Sequence, residues 1–194
     1  MSGITLTRAE EAWPHLQRVL DEGAAAPDAE AALRPITRLM VTLLGDKEAP
    51  LRPGGLKEGE RQYVVSCVVV VSPDRASNVF IAQEGFPPEQ HHLVIPIGHG
   101  HPGTVVREQK PLLLANTDDH GDFKQILKTS RMGSSLYVPM FWQGKLFGQL
   151  IAGSQARYSF RPVDLEVIVA FARVGALLWG AHKGPENLAR IIAA

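Results

Sequence analysis

The spacing of apolar and polar positions divides the chain into a helical beginning, a strand-rich middle and a long helix near the end. Up to Gly45, apolar residues recur at intervals of three and four, which is typical of amphipathic helices. The longer of two stripes follows Asp28, which is suited to cap a helix N-terminus. Pro35 interrupts this stripe, so the helix begins either after Asp28 or near Arg34, with the proline in its first turn.

Short apolar runs separated by turn residues predict a sheet of about six strands in the middle of the chain. The first run, 63–72, is so continuously apolar that it indicates a central strand covered on both faces. Residues 46–61 before it are a polar loop rich in Pro and Gly. The other predicted elements are strands at 79–83, 92–97 and 112–115, a short helix at 104–108 and an antiparallel hairpin over 135–153.

The predicted helix that starts at Pro162 is apolar on two sides. Pro162 suits the first helical position, and Asp164 suits the first turn, where the helix dipole favours negative charge. One apolar stripe contains Ile168 and the other contains Phe171. Because a helix must bury its apolar surface, one side should cover the sheet. The other side should meet either the N-terminal helices or a second copy of the chain.

Composition narrows the class of protein. The chain has 194 residues, with 20 basic and 20 acidic side chains and no net charge. This balance argues against a nucleic-acid partner, which usually requires a basic surface. The single cysteine, Cys67, cannot form an intramolecular disulfide, which favours a reducing, cytoplasmic location. No segment has the pattern of a signal peptide or a membrane span, so we expect no membrane partner.

A glycine motif has two interpretations. Gly98, Gly100 and Gly103 form G-x-G-x-x-G, and Asp118 follows Gly98 by twenty positions, as in dinucleotide-binding folds. The same glycines could instead form a tight strand-to-helix turn in a small ligand-sensing domain.

The context favours the sensing domain. His99, His101 and Pro102 lie between the glycines and would crowd a pyrophosphate. The motif also lies far from the start of the chain, and the hairpin that follows is antiparallel, whereas a dinucleotide fold needs parallel units.

Five segments, in this order, resemble the GAF family of small-molecule sensor domains, which have a PAS-related α+β fold. They are GHGHPGTVV from Gly98, KPLLLAN from Lys110, SSLYVPM from Ser134, GKLFGQLIAGS from Gly144 and FRPVD from Phe160. The resemblance covers about residues 30–182. It implies a six-stranded antiparallel sheet with the N- and C-terminal helices packed on one face and a ligand pocket on the other.

This resemblance suggests a division of the chain and a binding site. We expect an N-terminal helical segment over 1–27, a GAF-like domain over 28–182 and a C-terminal tail over 183–194. The pocket would lie under residues 99–105 and 116–130, with a floor drawn from Ser66, Val68, Tyr137 and Ile151. The ligand-binding residues implied in this way are His99, His101, Thr104, Asn116, Asp118, Phe123, Ser66 and Tyr137.

Known GAF subclasses fit the sequence poorly, so the sequence leaves the cofactor unknown. Bilin-binding members need a cysteine in or near the loops over the pocket, but Cys67 lies on a predicted strand. Members that reduce free methionine sulfoxide need several cysteines. The cyclic-nucleotide signature is only partly matched, because Leu165 follows Phe160-x-x-x-Asp164.

Histidines are concentrated near the expected pocket mouth. A metal site formed by His-x-His and the nearby Asp-Asp-His is conceivable, but solvent-facing loop histidines are the favoured interpretation, and no metal is predicted. His91 and His92 should point to opposite faces of a strand and so could not bind one ion together. Five of the seven histidines belong to this region: His91, His92, His99, His101 and His120.

The sequence therefore predicts a non-catalytic sensor that binds a small molecule without a covalent bond. Its terminal helices would pass the signal to a separate partner protein, and their surplus apolar surface suggests a homodimer. The alternatives are an assembly module without a ligand, and a nucleotide- or metal-binding enzyme.

Overall fold

The computed structural model describes residues 5–121 and 132–193 and has an α+β fold. One antiparallel sheet contains all six strands, in the order β3-β2-β1-β6-β5-β4. The strands are β1 (Val64–Val71), β2 (Ser77–Glu84), β3 (Val94–Pro96), β4 (Leu112–Leu114), β5 (Ser134–Trp142) and β6 (Lys145–Ser154). The helices are α1 (Leu16–Ala24), α2 (Ala29–Leu43), α3 (Gly100–Glu108), α4 (Pro162–Ala181) and α5 (Gly184–Ala193). The predicted fold class and the predicted helix-covered face of the sheet are confirmed.

The central strands β1 and β6 are covered on both faces, as the valine run predicted. Helices α2 and α4 lie on one face, where Ile36 and Phe171 belong to the same hydrophobic core as Val138 and Leu150 of the sheet. The N-terminal helices and α5 pack against the second apolar side of α4 and cover part of it. Within the described residues, no helix combines the length and hydropathy needed to cross a membrane.

Asp164 joins the N-terminus of α4 to the end of α2. Its fully buried carboxylate accepts hydrogen bonds from the Gly45 N–H (2.8 Å) and from the Arg161 N–H (2.9 Å). Gly45 has φ +86°, which is easily adopted only by glycine. The partial F-x-x-x-D motif therefore has a structural role, as the cap that connects two helices.

Two helix boundaries differ from the sequence-based expectation. Helix α2 begins directly after Asp28, whose side chain accepts a hydrogen bond from the Ala31 N–H, so Pro35 lies inside the helix and the start near Arg34 is wrong. Residues 184–193, expected as a tail, form helix α5, and Ile191 is buried in the core.

The predicted start of the third strand at His92 is wrong. Strand β3 starts only at Val94, and His92 has φ +54°. This left-handed residue ends the alternation of side-chain directions on which the prediction relied. The two imidazole rings instead stack, with centroids 3.9 Å apart.

Candidate functional site

Helix α3 lies over the face of the sheet opposite to α2 and α4, against β5 and β6. The Gln149 side chain on β6 donates a buried hydrogen bond to the Pro102 carbonyl (3.0 Å), which fixes the first turn of α3. Gly103 packs directly against Gly98, so that a Cβ atom at Gly103 would lie 2.3 Å from the Gly98 carbonyl carbon. The glycine motif therefore brings a turn and a helix into contact, as the strand-to-helix interpretation requires.

His101 is the polar centre of this face. Its side chain lies within the first turn of α3, and the residue is only 8% exposed. The imidazole stacks on the Tyr137 ring, with centroids 5.8 Å apart, and meets the His120 ring edge-on at 6.1 Å. Burial raises the pKa of Tyr137 to about 12, so its phenol is neutral at physiological pH and can donate a hydrogen bond.

The floor beneath α3 consists of side chains from the neighbouring strands. Tyr137, Ile151 and Cys67 are in register across β5, β6 and β1 and therefore share one face. They form an apolar cluster with Val69, Phe80, Ile95, Val105 and Leu114. Burial raises the pKa of the Cys67 thiol, which keeps it protonated and unreactive.

Ser66 and Val68 do not belong to this floor, which corrects the predicted set. Val68 belongs to the core under the helices, and Ser66 is in register with Ala152 of the same core. The Ser66 hydroxyl donates a hydrogen bond to the Ile151 carbonyl (2.7 Å). The error is a shift of one residue along β1, which exchanges the two faces of a strand.

The Asp118 carboxylate is paired with two positively charged side chains. Its carboxylate accepts from the Arg157 Nε–H (3.0 Å) and lies 2.7 Å from the Lys57 Nζ. The Asn116 side chain accepts from the Asp118 N–H (3.1 Å) and donates to the Tyr158 hydroxyl (3.2 Å). Both predicted ligand-binding residues therefore take part in holding the segment after β4.

The remaining predicted residues differ in position. His99 precedes α3 as its N-cap residue, and Thr104 is half-buried on the same helix. Phe123 lies outside the described residues. Of the predicted set, the structure thus brings His101 and Tyr137 together between α3 and the sheet. Three residues that were not predicted also contribute to this site: His120, Gln149 and Cys67. Cys67 and Gln149 could have been identified only from the pairing register of β1 and β6, because the continuous apolar run of β1 does not mark its two faces.

Comparisons with known proteins support the same fold. The model of the GAF domain family matches residues 28–177. The GAF domain of a phosphoenolpyruvate-protein phosphotransferase from Coxiella burnetii superimposes with a TM-score of 0.74 at 21% identity, covering 93% of this chain and 99% of that one. The corresponding domain from Acinetobacter gives 0.69 at 15% identity, covering 91% and 98%.

An enzyme is also among the similar structures. Free methionine-R-sulfoxide reductase from Neisseria meningitidis, solved in complex with its substrate, gives a TM-score of 0.67 at 18% identity, covering 95% of this chain and 99% of that one. A comparison with curated proteins gives no match. Identities this low establish the fold alone, but the family model spans most of the chain, from α2 to α4. The chain therefore belongs to the GAF domain family.

Proposed function

We propose that this chain is a sensory or regulatory GAF protein that binds a small organic molecule non-covalently between α3 and the sheet. The observation that carries the proposal is the buried His101–Tyr137 pair at the first turn of α3. Small-molecule sites in proteins typically combine an apolar lining with a few oriented polar groups. Here the apolar cluster around Cys67 and Ile151 supplies the lining, and the imidazole and phenol supply the polar groups.

The sheet provides a direct route from this site to the helices. Tyr137 faces α3, whereas its neighbours Leu136 and Val138 on β5 pack into the core with α2 and α4. A ligand that shifts β5 by a fraction of an ångström therefore changes the packing beneath both helices. If the helices have two arrangements, a ligand with different affinities for them shifts their populations.

The sulfoxide reductases with this fold raise an enzymatic alternative. Thiol-dependent reduction of a sulfoxide requires a thiolate to attack sulfur and a second thiol to release the product. This sequence contains one cysteine, and Cys67 is buried with a raised pKa. We therefore propose a binding role rather than catalysis, and we expect no turnover of free methionine sulfoxide in the presence of a thiol reductant.

Native mass spectrometry of the purified protein, followed by a metabolite screen for increased melting temperature, tests the binding role. We expect either a mass excess that is lost on denaturation or a stabilising metabolite. Substituting His101→Gln should weaken binding of that compound at least tenfold, while the control His15→Gln, in the N-terminal segment, should leave it unchanged.

Two results would contradict the proposal. One is a protein that carries no ligand and is stabilised by none of the metabolites, which would favour the assembly role. The other is equal binding by folded His101→Gln and wild-type protein, which would place the ligand elsewhere.

A further inference from the structure

Glu30, His91 and His92 converge at the edge of the molecule, where the β2–β3 connection meets the start of α2. The His92 Nε2 lies 2.9 Å from one Glu30 carboxylate oxygen, and the His91 Nε2 lies 4.0 Å from the other. One ligand atom from each of the three residues lies within 4.8 Å of the other two. None of the three belongs to the His101–Tyr137 site.

The backbone holds these donors in place. The left-handed conformation of His92 brings its imidazole beside that of His91, with both Nε2 atoms toward the same carboxylate. Such a conformation is uncommon for a residue other than glycine and persists only where the surroundings impose it. The Ala82 N–H donates to the Glu30 carboxylate oxygen that is nearer to His91 (3.1 Å) and helps to fix the orientation of the carboxylate. Outer hydrogen bonds of this kind orient metal ligands in known sites.

We propose that Glu30, His91 and His92 bind a divalent transition-metal ion, with zinc the best match to the donor set. Two imidazole nitrogens and one carboxylate oxygen are ligands that zinc accepts in a tetrahedral arrangement with one position left for water. With bonds of about 2.1 Å, donors on a tetrahedral ion are about 3.4 Å apart. The His92 Nε2 lies 2.9 Å from one Glu30 oxygen and the His91 Nε2 lies 4.0 Å from the other. One donor atom from each residue lies within 4.8 Å of the other two, so rotation of the side chains has to bring the donors to this spacing.

Access to the site is open on one side. Glu30 and most of His92 are buried, but about half of the His91 side chain is exposed. A cavity of about 340 Å³ adjoins His91 and is also lined by Arg34, Gln83, Phe86, Pro87 and Pro88. This cavity gives an ion a path to the donors and provides room for the water ligand.

Arg34 competes with the ion for the same carboxylate. Its guanidinium lies 3.3 Å from Glu30, and its side chain is 53% exposed, so it can turn away into solvent. A positive charge this close weakens the binding of a cation by Coulomb repulsion. Replacing Arg34 should therefore strengthen metal binding, which a purely structural role for the three residues would not produce.

Calorimetric titration of chelator-treated protein, made without a polyhistidine tag, tests the site with zinc and with cobalt. We expect one zinc ion per chain. The zinc affinity should fall at least tenfold in His91→Ala, in His92→Ala and in Glu30→Gln. Glutamine is chosen at position 30 because its amide oxygen can still accept the hydrogen bond from the Ala82 N–H. In Arg34→Gln the affinity should rise several-fold. Cobalt should give the visible absorption bands of a four-coordinate ion.

The double variant His99→Ala/His120→Ala is the matched control. It also removes two histidines, but neither belongs to the proposed site, so it should bind zinc like the wild type. Circular dichroism of each variant establishes that it is folded. Absence of zinc binding to the wild type at several hundred micromolar would overturn the proposal. So would unchanged affinity in both folded histidine variants, or a loss of affinity in the control alone.

Discussion

At the residue scale, Arg157 is the centre of a buried ion-pair network with two carboxylates. Its side chain is only 3% exposed and is placed between Glu60 and Asp118, both of which accept hydrogen bonds from the guanidinium. Lys57 also pairs with Asp118. A buried guanidinium is tolerated only when it is paired in this way. The network therefore connects the loop before β1, the segment after β4 and the turn after β6.

Replacing Arg157 with an uncharged residue should destabilise the fold. In Arg157→Met the two carboxylates lose their common partner, and breaking a buried ion pair from one side costs about 3 kcal/mol. Chemical denaturation of the variant and the wild type measures this difference in the free energy of unfolding. Arg107→Met is the control, because Arg107 is exposed and, among the described residues, its ion pair is with the neighbouring Glu108. Equal stability of Arg157→Met and wild type would show that the network contributes nothing.

The same network predicts how stability depends on pH. Burial raises the pKa of Glu60, but hydrogen bonds from Arg157 and from the Lys57 N–H outweigh it, and the net pKa is lowered. Lys57 and Arg157 likewise lower the pKa of Asp118. A lowered pKa in the folded state stabilises the protein fully above the ordinary carboxyl values of about 4, and this stabilisation is lost as pH falls through the lowered values.

Unfolding measured from pH 6 down to pH 3 should therefore show a steeper loss of stability in the wild type than in Arg157→Met. Parallel curves for the two proteins would contradict the assigned cause, because the two carboxylates would then titrate independently of the arginine.

Single residues also show where sequence-based prediction is weakest. Asp118 was expected to contact a ligand, but its partner Arg157 is 39 positions away and can be identified only from the fold. Ser66 was assigned to the wrong face because a run of apolar residues gives no alternation to mark the sides of β1. His101 and Tyr137 were identified because the family resemblance specified both elements that carry them.

At the element scale, the start of α3 depends on close contact between two glycines. Gly103→Ala would place a Cβ atom 2.3 Å from the backbone of Gly98, which no side-chain movement can relieve. We expect a loss of about 1–3 kcal/mol in the free energy of unfolding, typical of overpacking. Weaker ligand binding should accompany it, since the displaced turn carries His101.

Gly98→Ala is the matched control for this prediction. Among the described residues beyond its two chain neighbours, none has a heavy atom within 4 Å of a Cβ atom placed at Gly98, so this alanine should be tolerated. Equal unfolding midpoints and ligand affinities for the two variants would show that α3 moves freely with respect to the preceding turn, and the assignment of a tight contact would be wrong.

The periodicity of apolar residues predicted most helices and strands. It failed where local backbone geometry decides where an element begins. The sheet and α4 have long, regular patterns, and both form as expected. The start of β3 was misplaced because one left-handed residue, His92, turns the chain. Helix α5 was missed because its opening Gly184-Pro185 resembles a loop, although proline suits the first turn of a helix.

At the scale of the whole molecule, α4 retains apolar surface after the N-terminal helices have packed against it. Leu177 is 62% exposed, and Phe141 at the end of β5 is also exposed. Between them lies a cavity of about 500 Å³, lined mainly by apolar side chains that include Val138, Met140, Trp142, Val169, Ala172 and Ala176. Contiguous exposed apolar surface of this kind often marks an interface.

We propose that this surface forms the homodimer interface and that Leu177 lies near its twofold axis. Leu177→Glu would then place two carboxylates close together in an apolar interface and should convert a dimer into a monomer. Sedimentation velocity or light scattering across low to high micromolar concentrations measures this change. Leu51→Glu is the control, because Leu51 is 78% exposed on the loop before β1 and does not line this cavity, so the dimer should stay intact.

The proposed dimer interface also bears on signalling. Val138 and Met140, which line the cavity between Leu177 and Phe141, lie on β5, the strand that carries Tyr137. A ligand that moves β5 would alter the proposed interface directly, so the dimer dissociation constant should differ between ligand-free and ligand-saturated protein. A wild-type protein that remains monomeric at high micromolar concentration would rule out the dimer. A dimer unaffected by Leu177→Glu but lost in Leu51→Glu would place the interface on the loop before β1 instead.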